Sequence, residues 1–332
     1  MSTETMNYPG LGPIAAGSGL VKKERGGDGR FTVGRDGVLH ILATGDDKVE
    51  FIVYGEHSMA YVRASTGYPA CYPVHPVQIE RPVEAVLMDL DGTSVRSEHF
   101  WIWIIQLAIA SLLGDSRFEL EEADLPHVSG HSVLEHLQYC IEKYCPDKPL
   151  EDARAFYFEH THREMAEIMA GRGKPGAFTP TPGLKDFLLE LKNMGVRIGL
   201  VTSGLYEKAY PEILSAFDAL GMGDPMEFYD AIITAGFPLR PGEVGTLGEL
   251  SPKPHPWLYA ETSRVGLGIP FENRGRVIGV EDSGAGICSI RLAGFGSVGL
   301  SGGNIVQSGT KGLCDSYCDS LEEVLAFVKD GS

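Results

Sequence analysis

At 332 residues, with 43% hydrophobic and 22% charged side chains, the chain is long enough for two or three compact units and has the balance of an ordinary globular protein. It carries 28 basic and 45 acidic side chains, a net charge of −17, and no basic run longer than Lys22-Lys23. That balance argues against nucleic acid or an anionic membrane as partner, while a small anion can still meet a locally positive site. The most apolar run, Phe100 to Leu113, is fourteen residues long and interrupted by Gln106 and Ser111. It falls short of the ~20 residues that span a bilayer and reads as a buried helix. The N-terminal stretch puts its charges after a mildly apolar, Gly- and Pro-containing segment, the wrong order for a secretory signal. Cys71, Cys140, Cys145, Cys288, Cys314 and Cys318 follow no zinc spacing and read as reduced thiols of a cytoplasmic protein.

In chain order, residues 1 to about 30 contain GLGPIAAGSG and GGDG and are expected to be mostly flexible, with order beginning at Phe31. Residues 31 to 78 hold short β-branched and aromatic runs, FTV, VLHILAT, VEFIVYG and AYVRA. Turn residues such as Gly34-Arg35-Asp36-Gly37 and Gly45-Asp46-Asp47 separate them. The Pro-rich segment YPACYPVHPVQIERP closes this β-rich unit. Fewer than about fifty ordered residues is marginal for independent folding, so the unit is expected to pack on the rest of the chain or on a second subunit of a homodimer. From Val83 the apolar runs AVLMDL, VRIGLVTS, YDAIITAG, RVIGVED and GSVGLSG alternate with amphipathic segments such as Leu184 to Met194 and Ser320 to Val328. This is the pattern of a parallel sheet with helices on both faces. Residues 98 to about 178 break the alternation with helical patterns alone: HFWIWIIQLAIASLL, SVLEHLQYCIEKYC and LEDARAFYFEHTHREMAEIMA. Pro180 and Pro182-Gly183 mark the return to the sheet. The fold class is therefore α/β: a Rossmann-like doubly wound parallel sheet with an inserted α-helical segment and a β-rich N-terminal extension. The segment GLCDSYCDS reads as loop.

In a doubly wound sheet, ligands bind beyond the carboxyl ends of the strands, and four strand ends carry chemistry. Asp89-Leu90-Asp91-Gly92-Thr93 offers one carboxylate that can attack phosphorus and a second that can move a proton; it also reads as an Asx turn. Leu200-Val201-Thr202-Ser203-Gly204 offers a hydroxyl and free N–H groups to a phosphate oxygen, or a plain helix cap. In Ser251-Pro252-Lys253-Pro254-His255-Pro256 a lysine is fixed between prolines and can neutralise charge building on a phosphoryl group; the alternative is a rigid surface loop, and His255 reads as structural. Val280-Glu281-Asp282-Ser283-Gly284 ends a buried strand with two acids suited to Mg²⁺, or with Asp282 or Ser283 capping the next helix.

Each motif alone is weak; their order is specific. Asp, Thr, Lys and an acid each end a strand in that sequence, with a helical insert after the first. In this the chain resembles the haloacid dehalogenase-like superfamily from residue 83 to about 328, and PTPGLKDFLLELKNMGVRIGLVTSG and EDSGAGICSIRLAG resemble family sequence beyond the four motifs. Residues 1 to 80 match nothing in it. The resemblance implies that Asp89 is a nucleophile forming an aspartyl-phosphate, that Asp91 is the general acid/base, and that Thr202 and Lys253 hold the phosphoryl oxygens. Ser203 and Gly204 lie beside them as substrate contacts. It implies Mg²⁺ held by Asp89, the Asp91 backbone carbonyl and Asp282, with Glu281 a ligand of second rank. The expected domain limits are 1–80 for the flexible N-terminus and β-rich extension, 81–97 and 180–332 for the catalytic core, and 98–179 for the helical insert, which the resemblance makes a cap.

Asp91 favours phosphate esters over halides as substrates, because an alkoxide leaving group needs a proton and a halide does not. Val128-Ser129-Gly130-His131-Ser132-Val133 resembles the family's specificity loop, with His131 a candidate substrate contact. Val133 stands where β-phosphoglucomutase-like members carry an arginine and near where phosphonatases carry a lysine. Trp101 stands where the mutase-like group has a histidine, so both readings lose ground. Arg96 replaces an acid common in relatives and is expected to face solvent. The stretch Phe237 to Leu250 is longer than the family pattern and is expected to form an extra loop, with Arg240 a candidate anion contact. The reading that results is a Mg²⁺-dependent phosphatase of a small phosphorylated metabolite. Its rivals are a phosphomutase or phosphotransferase, and a binding or scaffold protein working through the β-rich unit.

Overall fold

The computed structural model describes residues 5–15, 17–63, 68–128, 133–234 and 250–330. Strands β1 (Thr5–Tyr8) and β2 (Gly12–Ala15) form an antiparallel hairpin. Strands β3 (Val21–Lys23), β4 (His40–Ala43), β5 (Val49–Val53), β6 (Ser58–Val62) and β7 (Ala70–Pro73) form an antiparallel sheet in sequential order. The chain then enters β8 (Ala85–Asp89). Next come β9 (Val95–Arg96), α1 (Glu98–Leu113), α2 (Val133–Tyr144), α3 (Leu150–Met169) and β10 (Thr179–Pro180). Alternation resumes with α4 (Leu184–Asn193), β11 (Arg197–Thr202), α5 (Tyr206–Leu220), α6 (Pro225–Phe228) and β12 (Ala231–Thr234). It ends with α7 (Trp257–Glu261), β13 (Val277–Glu281), α8 (Gly284–Ala293), β14 (Gly296–Leu300), β15 (Ser316–Cys318) and α9 (Leu321–Lys329). No described helix is long and apolar enough to cross a membrane, and all six cysteines are free thiols.

The chain forms two compact units: residues 1–93, 182–205 and 225–332 in one, residues 94–181 and 206–224 in the other. The first is built on a parallel sheet in the order β12-β11-β8-β13-β14-β15. Strands β8, β13 and β14 are buried at every residue, which is why they read as continuous apolar runs without alternation. The chain leaves the central strand β8 toward β11 and β12 on one side and later fills β13 to β15 on the other. The carboxyl ends of β8 and β13 therefore flank the switch point where such sheets bind ligands. Ala85, Leu87 and Val201 share a core cluster with Leu258 and Tyr259 of α7 and Ile290 and Ala293 of α8. Helices α4 and α9 pack on each other and on β11, β14 and β15, completing the second helix layer.

The N-terminal strands belong to this same unit. Tyr8, Leu11, Ile14, Leu42, Phe51, Val53 and Val62 form one buried cluster with Ile287, Cys288 and Leu292 of α8. Helix α8 is thus buried on both sides, by the parallel sheet through Ile290 and by the antiparallel one through Ile287 and Leu292. Residues 5–30, expected to be mostly flexible, contain β1, β2 and β3 instead. Their strands are three or four residues long and set among glycines, so they carry too little alternation to read as strands. What orders them is burial of Tyr8, Leu11 and Ile14. Conversely FTV is no strand: only Thr32 bridges, to Arg25.

The second unit is helical, with α1, α2, α3 and α5 around buried residues such as Ile104, Ile109, Tyr157 and Phe217. Its best-tied charge is Asp124, whose side chain is fully buried. It accepts hydrogen bonds from Lys143 (2.6 Å), Tyr139 (2.7 Å), the Tyr144 hydroxyl and the Glu121 N–H (2.9 Å). Burial opposes ionisation, but those four donors outweigh it and hold the carboxyl well below the usual carboxylate range. A depressed folded-state pKa stabilises above the unfolded value, near 4, and that stability is lost as pH falls through and below it. Asp124→Asn is therefore expected to cost about 2–3 kcal/mol at neutral pH, the scale of hydrogen bonds to a charged acceptor. The cost should shrink toward pH 3 in urea melts; equal costs at both pH values would refute the assignment.

Candidate active site

Asp89 closes β8 with its side chain 7% exposed, beneath the ammonium of Lys253, which bonds both Asp89 and Glu281. Lys253 sits in the segment leading into α7, and its backbone N–H donates to Ser203 Oγ at 3.2 Å. That bond ties the lysine segment to the end of β11. There Thr202 is 1% exposed and its Oγ1 accepts from the Gly204 N–H at 2.9 Å. Glu281, at the end of β13, is fully buried and fully engaged. Its Oε1 meets Lys253 and accepts from the Tyr259 hydroxyl at 3.1 Å. Its Oε2 accepts from the Ser283 N–H (3.1 Å) and Oγ (2.9 Å). Ser283 in turn caps α8 by accepting from the Gly286 N–H at 3.1 Å, so of the two expected caps the serine is the one used.

Asp282 faces the first loop, where Thr93 Oγ1 donates to its Oδ1 at 3.3 Å. Two glycines make room for it. A Cβ on Gly92, which has a φ of 82°, would stand 2.1 Å from Asp282 Oδ2, and a Cβ on Gly303 would stand 2.3 Å from the Asp282 carbonyl oxygen. Any larger residue would push the acid out of place.

Oxygens of Asp89, Glu281 and Asp282 all lie within 4.8 Å of one another. Among the described residues these three carboxylates share one ammonium, and the electrostatics follow from that shortfall. Burial first, then the charge of Glu281, raises the Asp89 carboxyl well above its usual range, and Lys253 does not fully offset this. Asp282 is partly open as a residue, yet its carboxyl is enclosed, and burial with the Glu281 charge pushes it up to about 8. Burial alone would favour neutral Lys253, but the charges of Asp89 and Glu281 outweigh it and keep the ammonium. A site short of positive charge and lined by hard oxygens suits a divalent cation such as Mg²⁺.

Asp91 is exposed, two residues beyond Asp89, close enough to Asp89 and Asp282 to raise both electrostatically. Arg96 is exposed on β9. His131, Arg240 and the stretch from Phe237 up to residue 249 lie outside the described residues. Trp101 lies on α1 under the ammonium of Lys208, 3.7 Å from its ring centroid. Sequence reasoning brought Asp89, Thr202, Lys253, Glu281 and Asp282 to one place, but it missed Tyr259 and Asn304, whose Oδ1 accepts the Gly284 N–H at 2.8 Å. Neither carries a spacing signal; both arrive by topology.

The model of a hydrolase family, haloacid dehalogenase-like hydrolase, matches residues 83–294. A comparison with the curated proteins finds no match. Among solved structures, the fold is shared with CbbY from Rhodobacter sphaeroides in complex with xylulose-(1,5)bisphosphate, at 21% identity and a TM-score of 0.53 over 73% of this chain and 96% of that one. It is shared with a predicted phosphoglycolate phosphatase from Haemophilus somnus, at 16% identity and a TM-score of 0.57 over 75% and 99%. It is shared too with β-phosphoglucomutase from Clostridium difficile, at 20% identity and a TM-score of 0.51 over 75% and 96%. With the family model covering four of the six parallel strands, β8 and β11 to β13, and all four strand-end motifs, the chain belongs to the haloacid dehalogenase-like hydrolases.

Proposed function

We propose that the protein is a cytoplasmic, Mg²⁺-dependent phosphatase that hydrolyses a small phosphorylated metabolite, a sugar phosphate or phosphorylated acid, through an aspartyl-phosphate. The observation that carries this reading is the buried Asp89 carboxylate, held by Lys253 at the end of the central strand. Asp89 Oδ forms a bond to phosphorus as the ester P–O bond breaks, and Asp91 gives its proton to the departing alkoxide. Asp91 then takes a proton from water as the water oxygen bonds phosphorus, and the P–O bond to Asp89 breaks to release phosphate. Thr202, Lys253 and the Ser203-Gly204 turn neutralise and orient the phosphoryl oxygens, and His131 contacts the rest of the substrate. Glu281, with both oxygens taken by Lys253, Tyr259 and Ser283, acts chiefly by fixing the lysine.

Mg²⁺ would rest on Asp89, Asp282 and the Asp91 carbonyl, with Glu281 behind them, and supplies the charge that lets an anionic phosphate approach these acids. Residues 98–179 are assigned as the cap and 81–97 with 180–332 as the core. The acidic chain disfavours nucleic acid as a partner.

The test is phosphate release across a panel of phosphorylated metabolites, with Mg²⁺ and with EDTA. Metal-dependent release of free phosphate supports the phosphatase, and transfer to a second hydroxyl without free phosphate establishes the mutase reading instead. Metal binding is read separately by melting temperature. Mg²⁺ at a hundredfold over its Kd stabilises by about 2.7 kcal/mol, a shift of several degrees, and Asp282→Asn should lose most of it. A shift of the same size in both proteins would remove Asp282 from the metal site.

A further inference from the structure

The N-terminal sheet reaches the active-site segment through the side chain of Tyr72. The Tyr72 hydroxyl on β7 lies 2.7 Å from His255 Nδ1, two residues beyond Lys253. His255 is 2% exposed, and among the described residues its Nε2 has no hydrogen-bond partner. Tyr72 is therefore the ring's one polar anchor in the described structure. Burial holds the imidazole neutral, so Nδ1 can accept from a phenol. The Tyr72 ring also packs edge-on against His255 (5.8 Å) and Trp257 (6.0 Å). On its other side the segment is held by Ser289 of α8, whose hydroxyl donates to the His255 carbonyl at 2.6 Å. Tyr72 thus grips residues 255–257, midway between Lys253 and Tyr259, the two residues that meet at Glu281 Oε1.

We propose that Tyr72 is a positioning residue for Lys253, acting through His255, so that the N-terminal sheet is part of the catalytic apparatus. The role as positioning for catalysis rests on the phosphatase reading; the mechanical link does not. A residue between two fixed prolines moves with its segment, and a shift of the order of 1 Å in a charged group that must meet the transferring phosphoryl can cost up to about a hundredfold in rate. A second clamp supports the same sheet's reach: the Gly45 N–H donates to the Ser308 carbonyl at 2.8 Å, in the loop whose Gly303 abuts Asp282.

The experiment uses the full chain with Mg²⁺ and p-nitrophenyl phosphate, comparing wild type, Tyr72→Phe, His255→Asn, the double variant, and Leu42→Val as a control for loosening the same sheet. Expected are a roughly tenfold fall in kcat with KM within about twofold for Tyr72→Phe, and a double variant no slower than the slower single one. Leu42→Val should melt earlier yet keep wild-type kcat. Hydrogen–deuterium exchange of the same proteins gives a readout independent of turnover: Tyr72→Phe should speed exchange across residues 252–259 and leave α4 unchanged. An unchanged kcat for Tyr72→Phe, a loss mirrored in Leu42→Val, or additive losses would overturn the catalytic role. If the wild type releases no phosphate from p-nitrophenyl phosphate or from any compound of the metabolite panel, the phosphatase reading fails, and exchange alone decides whether Tyr72 holds the lysine segment. Unaltered exchange over 252–259 overturns the link itself.

Discussion

Asp89→Asn is expected to reduce phosphate release by at least about a thousandfold, the loss typical of removing a nucleophile, without lowering the melting temperature. The two halves of that result separate a catalytic acid from a structural one. Asp89 is buried against Glu281 and Asp282 with one ammonium among them. An amide of the same shape still accepts from Lys253 while removing one of three like charges, so the fold should be as stable or more so. Were Asp89 an Asx-turn residue, the opposite pattern would appear: a lower melting temperature and retained turnover. Retention of a tenth of wild-type turnover would be enough to end the nucleophile assignment.

Removal of residues 1–78 is expected to abolish soluble folded protein altogether. Ile287, Cys288 and Leu292 of α8 would lose their cover, and each large apolar side chain returned to water costs about 1.5–3 kcal/mol. The same deletion strips Arg291, buried at 5% exposure, of its bond to the Leu11 carbonyl. Together these approach the whole stability of a typical domain, about 5–15 kcal/mol. Expression of residues 79–332, read by solubility and by a cooperative melt, checks this. A soluble monomer with a native melt would show that the N-terminal strands are dispensable for folding.

The strand ends were legible because their chemistry is local. A buried parallel strand writes itself as an apolar run, and the polar residue that ends it marks the switch-point edge; hence Asp89, Thr202 and Glu281-Asp282 were visible in order. The helices of the insert were legible for the same reason, through sustained periodicity. What was hidden depends on distant partners. Strand β15, Ser316–Cys318, lies inside a stretch that reads as loop, and only pairing with β14 makes it a strand. Strand β7 contains Pro73, acceptable because β7 is an edge. Tyr72 and His255 are 183 residues apart, and nothing in either neighbourhood announces the other.

The burial of α8 on both faces has a consequence for how this chain can change over time. A helix at the rim of a sheet normally keeps a solvent face on which substitutions are free. Here Gly284 and the run from Gly286 to Ala293 are buried, so almost no position drifts neutrally, and a change facing one sheet must be matched without disturbing the other. The helix begins directly after Glu281 and Asp282, so the acids inherit that rigidity. The N-terminal strands and the catalytic sheet are therefore bound to one lineage: neither can be exchanged, lost or grafted elsewhere as a cassette, because they share the helix that separates them.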